Sequence, residues 1–336
     1  MKKILVIRFS ALGDIAMTVP VVHDLAVQYP DCEITLLSRS AAKPLFERLP
    51  DNVHFFAADL EGRHKGLIGL CRLWRDARLS DFDSIADFHD VPRTWWLRAE
   101  GCLHRKKVAK IDKGRRGKRK LTRSKDKVFV PQATSFERYA AVLERLGFPV
   151  RPTFSKLDYS DLCETSKPHG ATWIGIAPFA KHEAKVYPLE QMEQVIKALS
   201  QRPNTTIFLF GGGEEEQQHI ETWCANYSDV HPAIHKHGLA GELALMGQLD
   251  VMLSMDSANM HLASLVGTPV VSVWGGTHPY AGFLGWNQRL ENCVQLELPC
   301  RPCSVYGNKP CRRGDYVCLQ GITPEHILEK LKPFLS

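Results

Sequence analysis

The chain has 336 residues, 44% of them hydrophobic and 24% charged, with a formal net charge of +6 and ten cysteines. At about 150 residues per domain this length suits two domains, and the composition is that of a globular protein, which excludes a disordered or collagen-like chain. No apolar run approaches the ~20 residues of a membrane-spanning helix, and Met1-Lys2-Lys3 leads straight into a strand pattern without a signal-peptide core. The expected location is therefore the cytoplasm, where ten cysteines argue for free thiols or metal ligation over a disulfide framework.

The net charge hides an asymmetry. Residues 104–127 hold thirteen Lys and Arg against two Asp, a net +11, which leaves −5 for the rest of the chain. Basicity concentrated in one segment points to a localised anionic partner. The segment has no aromatic residue on which a base could stack, which counts against nucleic acid.

In chain order, the run over 4–7 reads as a buried parallel strand, and Ile15, Val19, Val22 and Ala26 then recur at helical spacing. Between them, Ser10-Ala11-Leu12-Gly13-Asp14 sets a carboxylate at a helix start, on the side of a parallel sheet where open α/β proteins bind ligands. Helix cap and ligand-facing carboxylate are both open readings of Asp14 on this stretch alone. Strands are expected over 33–37, 53–56 and 82–88, the last ending near His89-Asp90, with a helix over 67–77. The basic stretch carries Gly114 and Gly117 with little apolar periodicity and reads mostly as a mobile loop. A helix over 135–146 is closed by Gly147 and Pro149. Residues 149–170, with three prolines, form the expected linker.

A second series starts at Ala171, with strands over 172–177, 205–210, 251–255 and 270–274 and helices over 189–199, 241–249 and 259–266. Thr323-Pro324-Glu325 opens a last helix, with Thr as cap and Pro at its first position. Two βαβ series in tandem imply an α/β protein of two doubly wound domains facing a cleft.

Three stretches of the second series carry chemistry. Ala177 to Pro188 holds Lys181 and Lys185, either of which can balance a diphosphate as a point charge or simply sit solvated in a loop. Gly211-Gly212-Gly213-Glu214-Glu215-Glu216 can bring Glu215 to ribose hydroxyls, or place three acids in a first helical turn where the dipole favours them. Ser254-Met255-Asp256-Ser257-Ala258-Asn259-Met260-His261 delivers Asp256 to the end of a strand, and Ser257 and the next amides open a helix fit for phosphate. A carboxylate beside that point repels phosphate, so Asp256 suits a sugar hydroxyl or a cap. His261 reaches the same pocket or is a buried structural histidine. No G-x-G-x-x-G follows the first strand and no G-x-x-x-x-G-K-[ST] occurs, which weighs against a nicotinamide oxidoreductase and a P-loop enzyme.

Together, I-R-F-S-A-L-G-D-I-A-M-T-V-P, K-V-Y-P and S-M-D-S-A-N-M-H-L-A-S-L-V-G-T-P-V-V-S-V-W-G-G-T-H-P resemble glycosyltransferase family 9, the ADP-heptose:lipopolysaccharide heptosyltransferases. The resemblance implies a GT-B fold of two Rossmann-like domains. Residues 1–160 would bind the acceptor and carry the basic loop 104–127, 171–322 would bind the nucleotide-sugar, and the helix over 323–336 would pack back on the first domain. It implies an inverting, metal-independent transfer from an ADP-sugar, with no cofactor, to a phosphorylated glycolipid at the cytoplasmic face of the inner membrane. Asp14 becomes the general base, and Ser10, Gly13, His89 and Arg93 face the acceptor. Lys185 holds the diphosphate. Asp256, Ser257, Ala258, His261, Gly276 and Thr277 line the donor pocket, with Glu215 at the ribose. Arg115, Arg116, Lys118, Arg119 and Lys120 meet the anionic head groups.

The chain departs from the family pattern in two places. Asp87-Phe88-His89-Asp90 stands where many members have Asp-x-Gln-Gly, and Ser257-Ala258-Asn259 replaces the commoner small-Gly pair. Cys300, Cys303, Cys311 and Cys318 suit a structural zinc, free thiols or an oxidisable pair. A non-catalytic protein that binds anionic surfaces through the basic segment, on a vestigial GT-B fold, is the alternative function.

Overall fold

In the computed structural model, which describes residues 1–233 and 237–335, the chain forms two units, Met1–Lys113 with Ala133–Ser155 and Gly114–Gln132 with Lys156–Ser336. The first opens with β1 (Lys2–Ile7), α1 (Leu12–Ala16), α2 (Val19–Gln28), β2 (Cys32–Ser38), β3 (Val53–Ala57) and α3 (Gly66–Asp76). It continues through β4 (Ser84–Asp87), α4 (Pro92–Leu103) and β5 (Lys107–Lys110). After α5 (Arg115–Leu121), which belongs to the second unit, the chain returns as α6 (Ser135–Leu146).

The five strands are parallel in the order β3-β2-β1-β4-β5. Ile4 to Ile7 are fully buried, as a central parallel strand requires. The helix expected from Ile15 to Ala26 is broken in two. Pro20 has no N–H to donate and is tolerated only in a first turn, so α2 restarts at Val19, one residue ahead of it. α6 keeps its sequence-expected bounds. The Glu137 N–H donates to Thr134 Oγ1, the Glu137 carboxylate accepts from the Thr134 N–H, and Gly147 closes the helix at φ 91°.

The second unit holds β6 (Thr172–Ala177), α7 (Leu189–Ser200), β7 (Thr205–Leu209), α8 (Glu214–Asn226), β8 (Val230–Pro232) and α9 (Gly238–Met246). Then come β9 (Val251–Met255), α10 (Ala258–Leu265), β10 (Val270–Val273), β11 (Cys293–Val294), α11 (Val317–Gln320) and α12 (Pro324–Leu331). Its strands are parallel too, in the order β11-β10-β9-β6-β7-β8.

Strand order reverses between β1 and β4 in the first sheet and between β6 and β9 in the second. The carboxyl ends of those pairs are the switch points at which doubly wound sheets bind ligands.

Two expectations change. Residues 104–127 are not one loop: Lys107–Lys110 pair with β4 as an edge strand, with Val108 and Ala109 half-buried and a lysine at each end that discourages further pairing. From Gly114 the chain lies with the second unit, where the Lys127 ammonium donates to Arg301 O (2.5 Å) and Pro302 O (3.2 Å) and the Gln132 N–H to Tyr280 O (2.9 Å). The last helix also belongs to the second unit. Ile327 and Leu331 are buried in one cluster with Met192, Val195 and Ile196 of α7, an apolar face that α12 exists to cover. Ser336 lies outside the described residues.

Candidate active site

At the first switch point, β1 runs out into Arg8, a buried arginine between two partners. Its Nη1 donates to Phe88 O (2.7 Å), and its Nη2 meets Asp14 Oδ2 at 2.7 Å. Asp14 is not the cap of α1 but its third residue, and the Ala11 N–H also points at Oδ2 (3.3 Å). Both contacts fall on one oxygen. Oδ1 has no hydrogen-bond partner among the described residues, and the side chain is 30% exposed. The Tyr139 hydroxyl donates to Asp14 O (3.2 Å), and its ring stacks on Phe88 at 4.6 Å, which fixes the backbone beneath the carboxylate. Gly13 is buried inside α1.

β4 supplies the facing loop. Asp87 Oδ1 accepts from the His89 and Asp90 N–H groups (2.9 Å each). The Phe9 N–H faces His89 Nδ1 (3.4 Å), and His89 Nε2 lies 3.3 Å from Ser10 Oγ. Burial, then Arg8 and Lys113, push the His89 pKa down to about 3, so the ring is neutral, accepts at Nδ1 and donates from Nε2 to Ser10. Asp90 adopts φ 48°, the left-handed region that glycine favours, at the position where the family pattern has Gly. Its carboxylate is held there by the Trp95 indole N–H (3.0 Å), Arg98 (3.1 Å) and Lys110 (3.3 Å). Arg93, half-buried in the first turn of α4, makes no hydrogen bond or ion pair among the described residues.

The second switch point is built alike. Lys185, after β6, reaches Asp256, after β9: its ammonium lies 2.8 Å from Oδ2 and donates to Asp256 O (3.1 Å). The Thr277 hydroxyl donates to the same Oδ2 (2.8 Å), and Oδ1 is again without a partner among the described residues. Ser257 caps α10 with extended backbone, its hydroxyl 3.2 Å from Ser254 Oγ. The N–H groups of Ser257, Ala258 and Asn259 find no acceptor among the described residues, which leaves a helix N-terminus open beside a lysine. His261 is buried one turn into α10. Lys181 is exposed.

Several expected contacts are corrected. The Gly276 N–H is occupied by Ala184 O (2.9 Å), so Gly276 ties down the Lys185 loop and offers no amide to a donor. Lys118 is buried, with its ammonium 4.0 Å over the Phe283 ring, a cation–π contact that removes it from the exposed basic surface. Arg115, Arg116 and Arg119 are exposed and Lys120 half-buried. In the first turn of α8, Glu216 accepts from the Gly212 N–H (2.8 Å), while Glu215 is exposed and unengaged among the described residues. The zinc reading of the four late cysteines loses its support: among the described residues no group of three or more His, Cys, Asp or Glu is placed to hold a metal.

Three residues of these sites were not singled out in the sequence. Arg8 orients Asp14. Arg301 donates to Trp274 O (2.9 Å), Gly275 O (2.5 Å) and Thr277 O (3.0 Å), bracing the loop that carries Thr277. Gly307, at φ 76°, lies where a Cβ would come within 2.7 Å of Lys185 Cγ, so only glycine lets the lysine stem pass.

Two doubly wound parallel units in one chain are the architecture of the GT-B class of glycosyltransferases, and the chain shares that fold with the solved structures given below. The model of glycosyltransferase family 9 (heptosyltransferase) matches residues 71–312, and the chain belongs to that family and is a glycosyltransferase. It is 25% identical over 344 residues to lipopolysaccharide heptosyltransferase 3 of Escherichia coli K12, covering 96% of this chain and 91% of that protein. It is 24% identical over 293 residues to the lipopolysaccharide core heptosyltransferase OpsX of Haemophilus influenzae, covering 83% and 80%. Among solved structures, a family 9 glycosyl transferase from Veillonella parvula superposes with a TM-score of 0.75 at 18% identity, covering 99% of this chain and 97% of that one. The E. coli ADP-heptose lps heptosyltransferase II superposes at 0.69 and 20%, covering 100% and 98%.

Proposed function

We propose that the protein transfers a heptose, with inversion, from an ADP-sugar to a phosphorylated glycolipid of the lipopolysaccharide core. The observation that carries this reading is the second switch point, where three unpaired amides, a lysine and a half-free carboxylate lie together. The amides and Lys185 suit a diphosphate, and Asp256 Oδ1 suits the hydroxyls of the attached sugar. The relatives are named for heptose transfer to lipopolysaccharide, which supports the choice of sugar and acceptor.

In the reaction, an acceptor hydroxyl oxygen attacks the anomeric carbon and its proton passes to Asp14 Oδ1. The bond from that carbon to the diphosphate oxygen breaks, the electron pair leaves with ADP, and the anomeric configuration inverts. Lys185 and the α10 amides stabilise the charge that develops on the leaving group, so this scheme assigns no metal or cofactor to the step. The acceptor's phosphates would meet Arg93 and the exposed Arg115, Arg116 and Arg119, and the enzyme would work at the cytoplasmic face of the membrane without crossing it.

Asp14→Asn tests the base. The expected result is transfer reduced by about 10²–10⁴, with ADP affinity by calorimetry equal to wild type. Full activity in that variant overturns the assignment.

A further inference from the structure

Beyond Thr277, the second unit carries a cavity of about 540 Å³ that the scheme above does not use. Its volume is that of a small-molecule site. His278, Tyr280, Phe129, Leu290, Leu296 and Glu297 are among the side chains that line it. Phe129, His278 and Tyr280 form one aromatic group, with ring centroids 4.5–5.0 Å apart.

The polar groups in the lining select the ligand. Burial, then Arg301 and Lys127, push the His278 pKa down to about 4, so the imidazole is neutral. Its Nδ1 accepts from the Tyr280 N–H (3.0 Å), which leaves the proton on Nε2 to donate. The Tyr280 hydroxyl and the exposed Glu297 carboxylate make no hydrogen bond among the described residues. The two lining cations are spent inside the protein. Lys127 donates to two backbone carbonyls, and Arg301 to those of Trp274, Gly275, Thr277 and Leu296. A cavity with a carboxylate and no cation to spare rejects phosphate. Aromatic and leucine walls with a few unmatched donors and acceptors suit a neutral ligand that has an apolar C–H face and several hydroxyls.

Strand order says which molecule supplies it. Along the second sheet, Lys185 follows β6, Asp256 follows β9 and Thr277 follows β10, while the cavity draws on the segments flanking β11. On the glycosyl-transfer reading, with the diphosphate at Lys185 and the donor sugar at Asp256, the cavity therefore lies beyond the sugar along the same edge of the sheet. His278 is only one residue, about 3.8 Å of chain, beyond Thr277.

We propose that this cavity is a subsite for a neutral saccharide ring of the acceptor glycan, adjacent to the ring that receives the new sugar. The inference rests on the glycosyl-transfer reading above.

The test uses the full chain and a phosphate-free oligosaccharide released from rough-type lipopolysaccharide, titrated by calorimetry into wild type, Phe129→Ala and Glu297→Ala. Phe129 is half-exposed and Glu297 exposed, so neither change removes core packing. The expected result is binding to wild type, weakened about tenfold in each variant and unaffected by saturating ADP. No binding to wild type, or equal affinity in all three proteins, overturns the proposal. So does displacement by ADP-heptose, which would assign the cavity to the donor's sugar. Full transfer by Asp14→Asn would refute the base assignment while leaving this titration intact, so the two failures are told apart.

Discussion

Asp14 and Asp256 each have Oδ2 held by a cation, with Oδ1 left open. For Asp14 the holder is Arg8, whose planar fork spans Phe88 O and the carboxylate together, so a lysine cannot replace it contact for contact. Arg8→Met is expected to lower kcat by about 10² through misorientation of the base, with ADP affinity unchanged, because the groups Arg8 is seen to orient, Phe88 O and Asp14, both lie in the first unit. Arg8→Lys should recover part of the loss. Wild-type kcat in Arg8→Met would show that Asp14 needs no holder. His89 permits a second test. A neutral imidazole that accepts from Phe9 N–H and donates to Ser10 offers what an amide offers, which explains how it stands where the family pattern has Gln. Its folded pKa of about 3 lies below the ~6.5 of the unfolded chain. Between those values the unfolded state binds more protons. Stability is therefore full above about pH 6.5 and falls with pH toward 3, by about 1.4 kcal/mol per pH unit for such a group. His278, at about 4, acts in the same direction. Melting temperature should drop between pH 7 and pH 5, and His89→Gln should make the drop smaller. An equal drop in the variant would mean that His89 carries none of it.

Elements differ in how far the sequence alone reveals them, and the reason is the origin of their stabilising contacts. β1 from Ile4 onward, β6 and β9 are buried and mostly apolar because parallel strands are covered on both faces. The ends of α6 are written in Thr134, Glu137 and Gly147, all of them local signals. β5 is different: Lys-Val-Ala-Lys has no periodicity of its own and becomes a strand by pairing with β4. The assignment of 114–132 to the second unit is likewise tertiary, made by carbonyls of Tyr280, Arg301 and Pro302 more than 140 residues away in sequence. The site follows the same rule. Asp14, Lys185 and Asp256 could be placed beyond strand ends because each follows a strand that any reading would find, while their roles rest on the family resemblance. Arg8, though it stands in the first motif, and Arg301 were not singled out, since an arginine aimed at backbone carbonyls far along the chain carries no local sign of that role. Gly307 was not, since its partner is the stem of Lys185. A strand-and-turn reading thus finds the groups that stand at strand ends and misses those that hold them in place.

Over the whole molecule, the +11 of residues 104–127 is sorted by the fold into separate uses. Lys107 and Lys110 guard a sheet edge, Lys118 sits on Phe283, and Lys127 is bound to carbonyls. Arg115, Arg116, Arg119, Arg123 and Lys125 remain exposed, clustered on α5 and the chain just after it. Among the described residues no helix is long and apolar enough to cross a membrane, and on the glycolipid reading proposed above this cluster is what would draw the enzyme to the surface. Each basic residue near an anionic leaflet contributes about 1 kcal/mol, screened over about 8 Å at physiological salt. Reversing three charges, as Arg115→Glu, Arg116→Glu and Arg119→Glu, should therefore cut binding to phosphatidylglycerol vesicles by more than tenfold, with melting temperature held because all three side chains are exposed. Raising salt should weaken wild-type binding far more than binding of the variant. Equal vesicle binding by the two proteins would separate the basic helix from the membrane and leave the phosphates of the glycan itself as the anion it meets.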